Sequence, residues 1–413
     1  MLKINRVAVV LGLLLFVNVS LIAQNSTNSP YTRYGFGSIA DRSFGAGRSM
    51  GGIGYGLRSS RQINPMNPAS YSSMDSLTFL FDAGATIHRS WYDDGLYSQK
   101  DINGNFEYAA MQFPLTSQLA MSVGVLPYSH VGYDFYKQTT TSDNLTYAER
   151  FKGTGGLNEV YVGLSIDIWK KRLALGANVS YLFGSVNRET QLTSISVYTK
   201  NKVNVHNLKY DFGIQYTHPL SKTERLTLGV VYSPKIKLKA TAYDLVSSSS
   251  DFSSLISGDT VRNHGYDIPN VYGVGLSYTK DNKMILAADV SFQEWSKAQF
   301  EGTSKNYKNM LKVALGGEYI PNNFTRSYMK RVRYRAGLHY DNSYLKIDGS
   351  SYNEYGATVG MGFPLMDNRS FINASVEYVN VSPESSTLIK EQYLRLTISY
   401  TFNEYWFFKR KVD

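Results

Sequence analysis

Over 393–402 the chain sorts its residues onto two faces. Leu394, Leu396, Ile398, Tyr400 and Phe402 fall on one side; Tyr393, Arg395, Thr397, Ser399 and Thr401 fall on the other. A period of two, with one apolar and one mostly wet face, is a half-buried β-strand. The same reading predicts strands at 77–87, 106–113, 119–128, 158–168, 173–183, 207–216 and 226–233, then 270–278, 284–292, 311–319, 331–340, 354–363, 372–379 and 393–402. That is about fourteen, and an even count suits an up-and-down barrel with both chain ends on the periplasmic side. The expected fold class is all-β: a transmembrane antiparallel barrel of about 14 strands with an N-terminal plug segment.

The connections supply an independent test. Those at 169–172, 279–283 and 366–370, and the one around Ser117, are short and polar, and 218–225 and 321–330 are intermediate. Between them fall longer ones, at 89–105, 129–157, 184–206, 234–269, 293–310, 341–353 and 380–392. This alternation suits a barrel with brief periplasmic turns and extended outer loops, whereas a soluble sandwich has no reason for it. Ser247–Ser250 with Ser253 and Ser254 mark a flexible tip in the longest loop.

The faces agree between strands. Val160, Val162, Leu164, Ile166 and Ile168 oppose Glu159, Tyr161, Gly163, Ser165 and Asp167. Leu208, Tyr210, Phe212, Ile214 and Tyr216 oppose Lys209, Asp211, Gly213 and Gln215. A charge on a lipid face near the midplane costs about 2–4 kcal/mol, and this arrangement avoids that cost repeatedly. The apolar face therefore looks at hydrocarbon. Trp91, Tyr92, Tyr128, Trp295, Tyr340, Tyr378 and Trp406 lie near strand ends, where rings are expected in the headgroup layer.

Composition refines this picture. Lys3 and Arg6 precede an apolar run from Val7 to Val17 and a small residue at Ala23, the pattern of an export signal over 1–23. There is no Cys, hence neither a disulfide framework nor a lipid-carrying cysteine. Only 43% of residues are hydrophobic, which fits strands that alternate, and 33 Tyr, 20 Phe and 34 Gly fit aromatic girdles and tightly bent walls. The net charge of +10 is scattered over strands and loops of an exported chain, so nucleic acid is not the expected partner.

A different region precedes the first strand. Residues 24–75 are crowded with Gly35, Gly37, Gly45, Gly47, Gly51, Gly52, Gly54 and Gly56 and hardly alternate, so they are expected to fold into the lumen or its mouth as a plug, with the barrel spanning 76–413. Gly163, Gly176, Gly213, Gly273, Gly275, Gly316, Gly356, Gly360 and Gly362 all fall on the inward face and leave room for it.

Ser49-Met50-Gly51-Gly52-Ile53-Gly54, followed by Asn64-Pro65-Met66-Asn67-Pro68-Ala69-Ser70, resembles the N-terminal segment of FadL-type outer-membrane barrels. The opening Ser29-Pro30-Tyr31-Thr32-Arg33-Tyr34-Gly35 and the closing Phe402-Asn403-Glu404-Tyr405-Trp406-Phe407-Phe408-Lys409-Arg410-Lys411 look like outer-membrane proteins of Bacteroidetes, and the FadL-type family includes a PorV-like branch from Bacteroidetes secretion systems. The resemblance implies a plugged barrel in the outer membrane that admits hydrophobic ligands or, in the PorV-like branch, docks protein partners. By match of motif, Asn67, Pro68 and Ala69 belong to the plug. Pro68 restricts Asn67 to extended geometry, and Asn67 can cap the turn that follows.

One feature departs from a conduit for greasy cargo, which needs an apolar lining. The inward face carries Arg331, Arg333, Arg335 and His339 on one strand, Lys312 and Glu318 on the strand before and Glu354 on the strand after, with Asp289, Glu377 and Arg395 nearby. Opposite charges on adjacent strands read as a paired network filling the lumen, or as an anion-selective constriction.

Other chemistries find little support. His88, His130, His206, His218, His264 and His339 share no metal-ligand spacing. Gly52-Ile53-Gly54-Tyr55-Gly56 lacks the spacing and βαβ setting of a dinucleotide loop. Asp101-Ile102-Asn103-Gly104-Asn105 has its Gly too early for a calcium loop, and Gln112 stands where the bidentate Glu belongs. No enzymatic role, cofactor or metal is expected. Three functions stay open: passive uptake of hydrophobic compounds, a scaffold or accessory subunit of an envelope secretion or assembly complex, and a polar porin. Their partners would be outer-membrane lipids, a hydrophobic ligand and other envelope proteins.

Overall fold

The structure, a computed structural model, describes residues 26–140, 146–169, 171–192, 197–262, 265–323 and 325–405. The expected export signal and Trp406, with the tail after it, lie outside the described residues. Fourteen antiparallel strands close into a cylinder. They are β1 (Thr78–Asp93), β2 (Ser98–Pro114), β3 (Leu119–Thr140), β4 (Thr146–Trp169), β5 (Leu173–Leu192), β6 (Val197–Pro219) and β7 (Glu224–Ser233). The others are β8 (Val271–Lys280), β9 (Met284–Gln293), β10 (Met310–Tyr319), β11 (Arg333–Asn342), β12 (Tyr352–Pro364), β13 (Phe371–Pro383) and β14 (Lys390–Tyr405). Each pairs with the next, and β14 closes on β1 from Lys390–Asp93 to Tyr405–Thr78. No edge is left for another chain to extend across that closure.

The pleat sorts the side chains as the alternation requires. On β4, Val160, Val162, Leu164 and Ile166 stand exposed on the outer surface, while Glu159, Tyr161, Ser165 and Asp167 are buried inside. On β14, Leu394, Leu396, Ile398 and Tyr400 face outward and Tyr393, Thr397, Ser399 and Thr401 inward. Hydrocarbon is the medium that such a continuous apolar exterior fits.

Three expectations are corrected. Most of the expected long loops are strand. β3 runs to Thr140 and β4 starts at Thr146, β5 and β6 continue to Leu192 and from Val197, and 234–269 contains the hairpin Lys239–Ser247 with Leu255–Arg262, which extends the sheet along β6. Beyond the membrane both faces are wet, so the apolar alternation fades although backbone pairing continues. Next, Tyr92, Tyr128 and Trp295 are buried inside rather than set in a lipid girdle, since proximity to a strand end says nothing about radial direction; Tyr378 does face outward. Finally, β11 begins at Arg333, and Arg331 closes a one-turn helix, Tyr328–Arg331, just before it.

The two ends differ. Tight turns at 115–118, 220–223 and 281–283 mark one, here the turn end; the strand extensions mark the other, the hairpin end. A soluble-type core seals the hairpin end, built around Trp295, Tyr344, Tyr307, Phe300 and Tyr266 with Phe36 of the N-terminal segment. Trp295 packs on Tyr344 at 4.3 Å between ring centroids, and Phe36 meets Phe300 edge-on at 5.0 Å.

The wall has a seam. β2 and β3 pair only from Ala109–Val125 to Pro114–Ala120. Towards the hairpin end, β3 bulges between Pro127 and Ser129 and turns inward, with Leu126, Tyr128, Val131 and Tyr133 all buried. Its freed edge is taken by the N-terminal segment: Ser38 pairs with His130, Ile39 pairs with Ser129, and Ala40 N donates to Tyr128 O at 3.0 Å.

Candidate functional site

The lumen is occupied by residues 26–77, called here the inner segment. Ser26 O accepts from Asn105 Nδ2 at 2.9 Å, so the first described residue is already inside the barrel, whereas Tyr405 ends at the turn end. The expectation that both chain ends are periplasmic concerns residues beyond these. From Ser26 the segment rises to the hairpin end, where Ser29 Oγ donates to Glu391 at 2.8 and 2.9 Å and Tyr31 OH donates to Ile389 O. It then descends past β3 towards the turn end and β1.

Glycines on the wall let this descent run backbone against backbone. A Cβ on Gly337 would stand 2.2 Å from Met50 C, one on Gly316 2.2 Å from Met50 O, and one on Gly229 1.8 Å from Tyr55 O. No side chain fits in such gaps. Gly51 and Gly52 themselves take φ of +78° and +80°, a region that disfavours L side chains. Phe44 stacks on Tyr108 at 3.7 Å.

Charges lock the same path. Arg42 Nη2 lies 2.8 Å from Glu159 Oε1 and 2.9 Å from Asp211 Oδ2, and Lys209 Nζ lies 2.7 Å from Asp211 Oδ1 and 3.4 Å from Glu159 Oε2. Glu159, Lys209 and Asp211 are buried, so two cations face two carboxylates out of bulk water. Arg48 pairs with Glu107 at 3.0 Å and Arg58 with Asp167 at 2.6 Å. Burial alone would raise the Asp41 carboxyl, but the Lys312 ammonium and then the Arg48 guanidinium outweigh it and hold the carboxyl well below its usual range.

The residues singled out from sequence fall in separate places. Asn67 is extended at φ −130° and ψ 103°, and its Oδ1 accepts from Ala69 N at 3.1 Å, while its Nδ2 donates to Tyr55 O at 2.8 Å. Pro68 and Ala69 pack against the wall at Gly176, and Ser165 Oγ donates to Ala69 O at 2.9 Å. The expected single charge network is divided. Glu318 pairs with Arg335 at 2.8 Å and Arg333 at 3.1 Å near the turn end. Arg395 and His339 approach Glu377 at 3.1 and 3.7 Å higher up, where Lys312 and Glu354 also line the lumen. Asp289 Oδ2 accepts from Gly54 N at 2.6 Å and Tyr55 N at 2.8 Å, so it binds the inner segment rather than a wall cation. Arg331 lies outside these clusters, at the turn-end mouth, and donates to Asn368 Oδ1.

Sequence reasoning missed Arg42, Arg48 and Arg58 as partners of Glu159, Asp211, Glu107 and Asp167. The available signal was the five arginines, these three among them, in a segment too apolar for a disordered leader, facing inward acids without a cation on the next strand.

The space left between the rising limb of the inner segment, Ser26 to Thr32, and its descending limb at Asp41, Arg42 and Tyr55 is a cavity of about 220 Å³. Glu107, His88, His130, Glu354, Glu391 and Arg395 are among its lining. An apolar ligand entering it would strip water from these groups without offering hydrogen bonds in return.

Comparisons with known proteins agree with this architecture. The family model described as BamG matches residues 1–413, the whole chain. No curated protein matches it. Among solved structures, the Ralstonia pickettii toluene transporter TbuX is similar at 16% identity and a TM-score of 0.61, covering 87% of this chain and 98% of that one. A FadL homologue of Pseudomonas aeruginosa reaches 14% and 0.58, covering 89% and 99%. The Pseudomonas putida toluene transporter TodX reaches 15% and 0.57, covering 89% and 100%. At such identities the likeness shows a FadL-like outer-membrane barrel fold.

Proposed function

The chain belongs to the BamG family, and we propose that it serves there as a closed outer-membrane barrel, an accessory subunit of an envelope-protein assembly or secretion complex. In this reading residues 1–23 are the export signal, 24–75 the plug and 76–413 the barrel, and the turn end faces the periplasm. It has no enzymatic step, and lipids surround its wall. One observation carries the reading: the inner segment fills the lumen through backbone contact at Gly229, Gly316 and Gly337 and through the ion pairs of Arg42, Arg48 and Arg58. Such a fastening makes the barrel a rigid body that presents loops and wall to neighbours. The family's name and the likeness to a PorV-like branch fit the same role.

A second reading, passive uptake of hydrophobic compounds, draws on the fold shared with TbuX and TodX and on the β2–β3 seam. The charged cavity directs any such route sideways through the wall rather than along the axis. A polar porin fits least, because the lumen is filled. Purification from native membranes in mild detergent separates the readings. Stoichiometric envelope proteins retained with the barrel are the expected result; a lone barrel carrying bound hydrophobic molecules would overturn the accessory role in favour of transport.

A further inference from the structure

The turn-end mouth opens into a cavity of about 630 Å³, separate from the one between the limbs of the inner segment. Seven basic side chains line it against two acidic ones. Two of the seven are engaged, Arg58 with Asp167 and Arg333 with Glu318. Lys171 and Lys283 come from turns of the wall, Arg225 from the start of β7, Arg331 from the short helix before β11, and Arg61 from the inner segment. Among the described residues, neither Arg61 nor Arg225 stands in an ion pair.

Among the described residues the surplus is only partly offset, Asp75 and Glu318 being the acids that act on Arg61. Partial burial and then the neighbouring Arg333 and Arg369 charges push the Arg61 guanidinium below its ordinary range. The Arg331 Nε is buried without a hydrogen-bond partner. Arg61, Lys171, Arg225 and Lys283 are exposed, so water and salt screen their mutual repulsion, but gathered around one concave mouth they give it a positive potential that an anionic ligand would meet.

We propose that this mouth is a docking site for an acidic polypeptide segment of a partner protein. The proposal rests on the accessory reading for the partner's existence and adds its chemistry. Three features select a peptide. The free cations come from four wall elements and the inner segment around the rim rather than converging on one point, so they match carboxylates spread along a chain. The volume exceeds that of a single phosphate, which would leave most of the space unfilled. The wall also offers Ile285, Pro364 and Phe371 for apolar contact between the charges. The chain's own tail does not suit the site, because Lys409, Arg410 and Lys411 give it the wrong sign.

The test uses the purified full-length barrel in detergent and a fluorescein-labelled decapeptide of alternating Asp and Ser, compared with its Asn–Ser counterpart and with inorganic phosphate. The acidic peptide should bind and weaken steeply towards about 500 mM salt. Arg61→Gln combined with Arg225→Gln should weaken it about tenfold. Heat-modifiable migration on gels verifies that the variant barrel is folded; if it is not, Lys283→Gln with Lys171→Gln takes its place. Equal binding of the neutral peptide, indifference to salt, or no loss in a folded variant would overturn the proposal. Phosphate competing at the peptide's own concentration would make this a small-anion site and overturn the peptide assignment. Native complexes without peptide binding would remove this site and leave the accessory role; peptide binding without any complex would do the reverse.

Discussion

A barrel carrying Gly316→Val and Gly337→Val will be cut by trypsin after Arg42, Arg48 or Arg58, where the unaltered chain resists. Both glycines face the lumen at points where even a methyl group would stand 2.2 Å from Met50 backbone atoms. The barrel wall cannot give, because closure fixes every strand between two neighbours, and the obstructing atoms are backbone rather than a flexible side-chain end. Valine is a strong strand former, so the wall itself should tolerate the change better than the contact does. The strain is relieved only if the inner segment leaves its seat. Limited proteolysis of the folded barrel reads this directly; resistance equal to the parent's would show that Met50 does not press on the wall as described.

The second large effect is expected at Arg42. With Ala there, Glu159 and Asp211 retain only Lys209 between them, so one buried carboxylate loses its compensation. Removing one partner of a buried pair costs about 3–5 kcal/mol, because the stranded charge keeps its desolvation penalty. Denaturant midpoints of the detergent-solubilised barrel should fall accordingly, and Glu159→Gln in the same background should restore part of the loss. A change below about 1 kcal/mol, typical of an exposed pair, would contradict the buried fastening.

Legibility in the sequence followed the solvent. Within the membrane the outer stripe must be apolar, so Val160 to Ile168 and Leu394 to Phe402 disclosed both register and facing. Inward glycines pointed to close approaches at the wall, by the inner segment at Gly229, Gly316 and Gly337 and by the wall's own side chains at Gly356 and Gly362. Beyond the membrane this contrast disappears, and the extensions of β3 to β6 were read as loops although their backbones stay paired. The candidate site was harder still. Arg42 meets Asp211 across 169 residues of sequence, and no local pattern records a contact of that kind. Adjacent-strand logic groups Glu318 with the arginines of the next strand, and Glu318 lies 2.8 Å from Arg335. It could not separate that pair from His339 and Arg395, which lie at another level of the lumen, nor show that Asp289 serves backbone amides instead of a cation. Trp295 and Tyr128 failed for a related reason: aromatic character is shared by girdles and cores, and only the fold tells them apart.

The account turns on the inner segment sealing the lumen. Conductance of the purified full-length chain in planar bilayers tests this most directly. The account predicts no sustained channel from the unaltered protein and an open pore once the inner segment is unseated; steady ion flow through the unaltered barrel would contradict it.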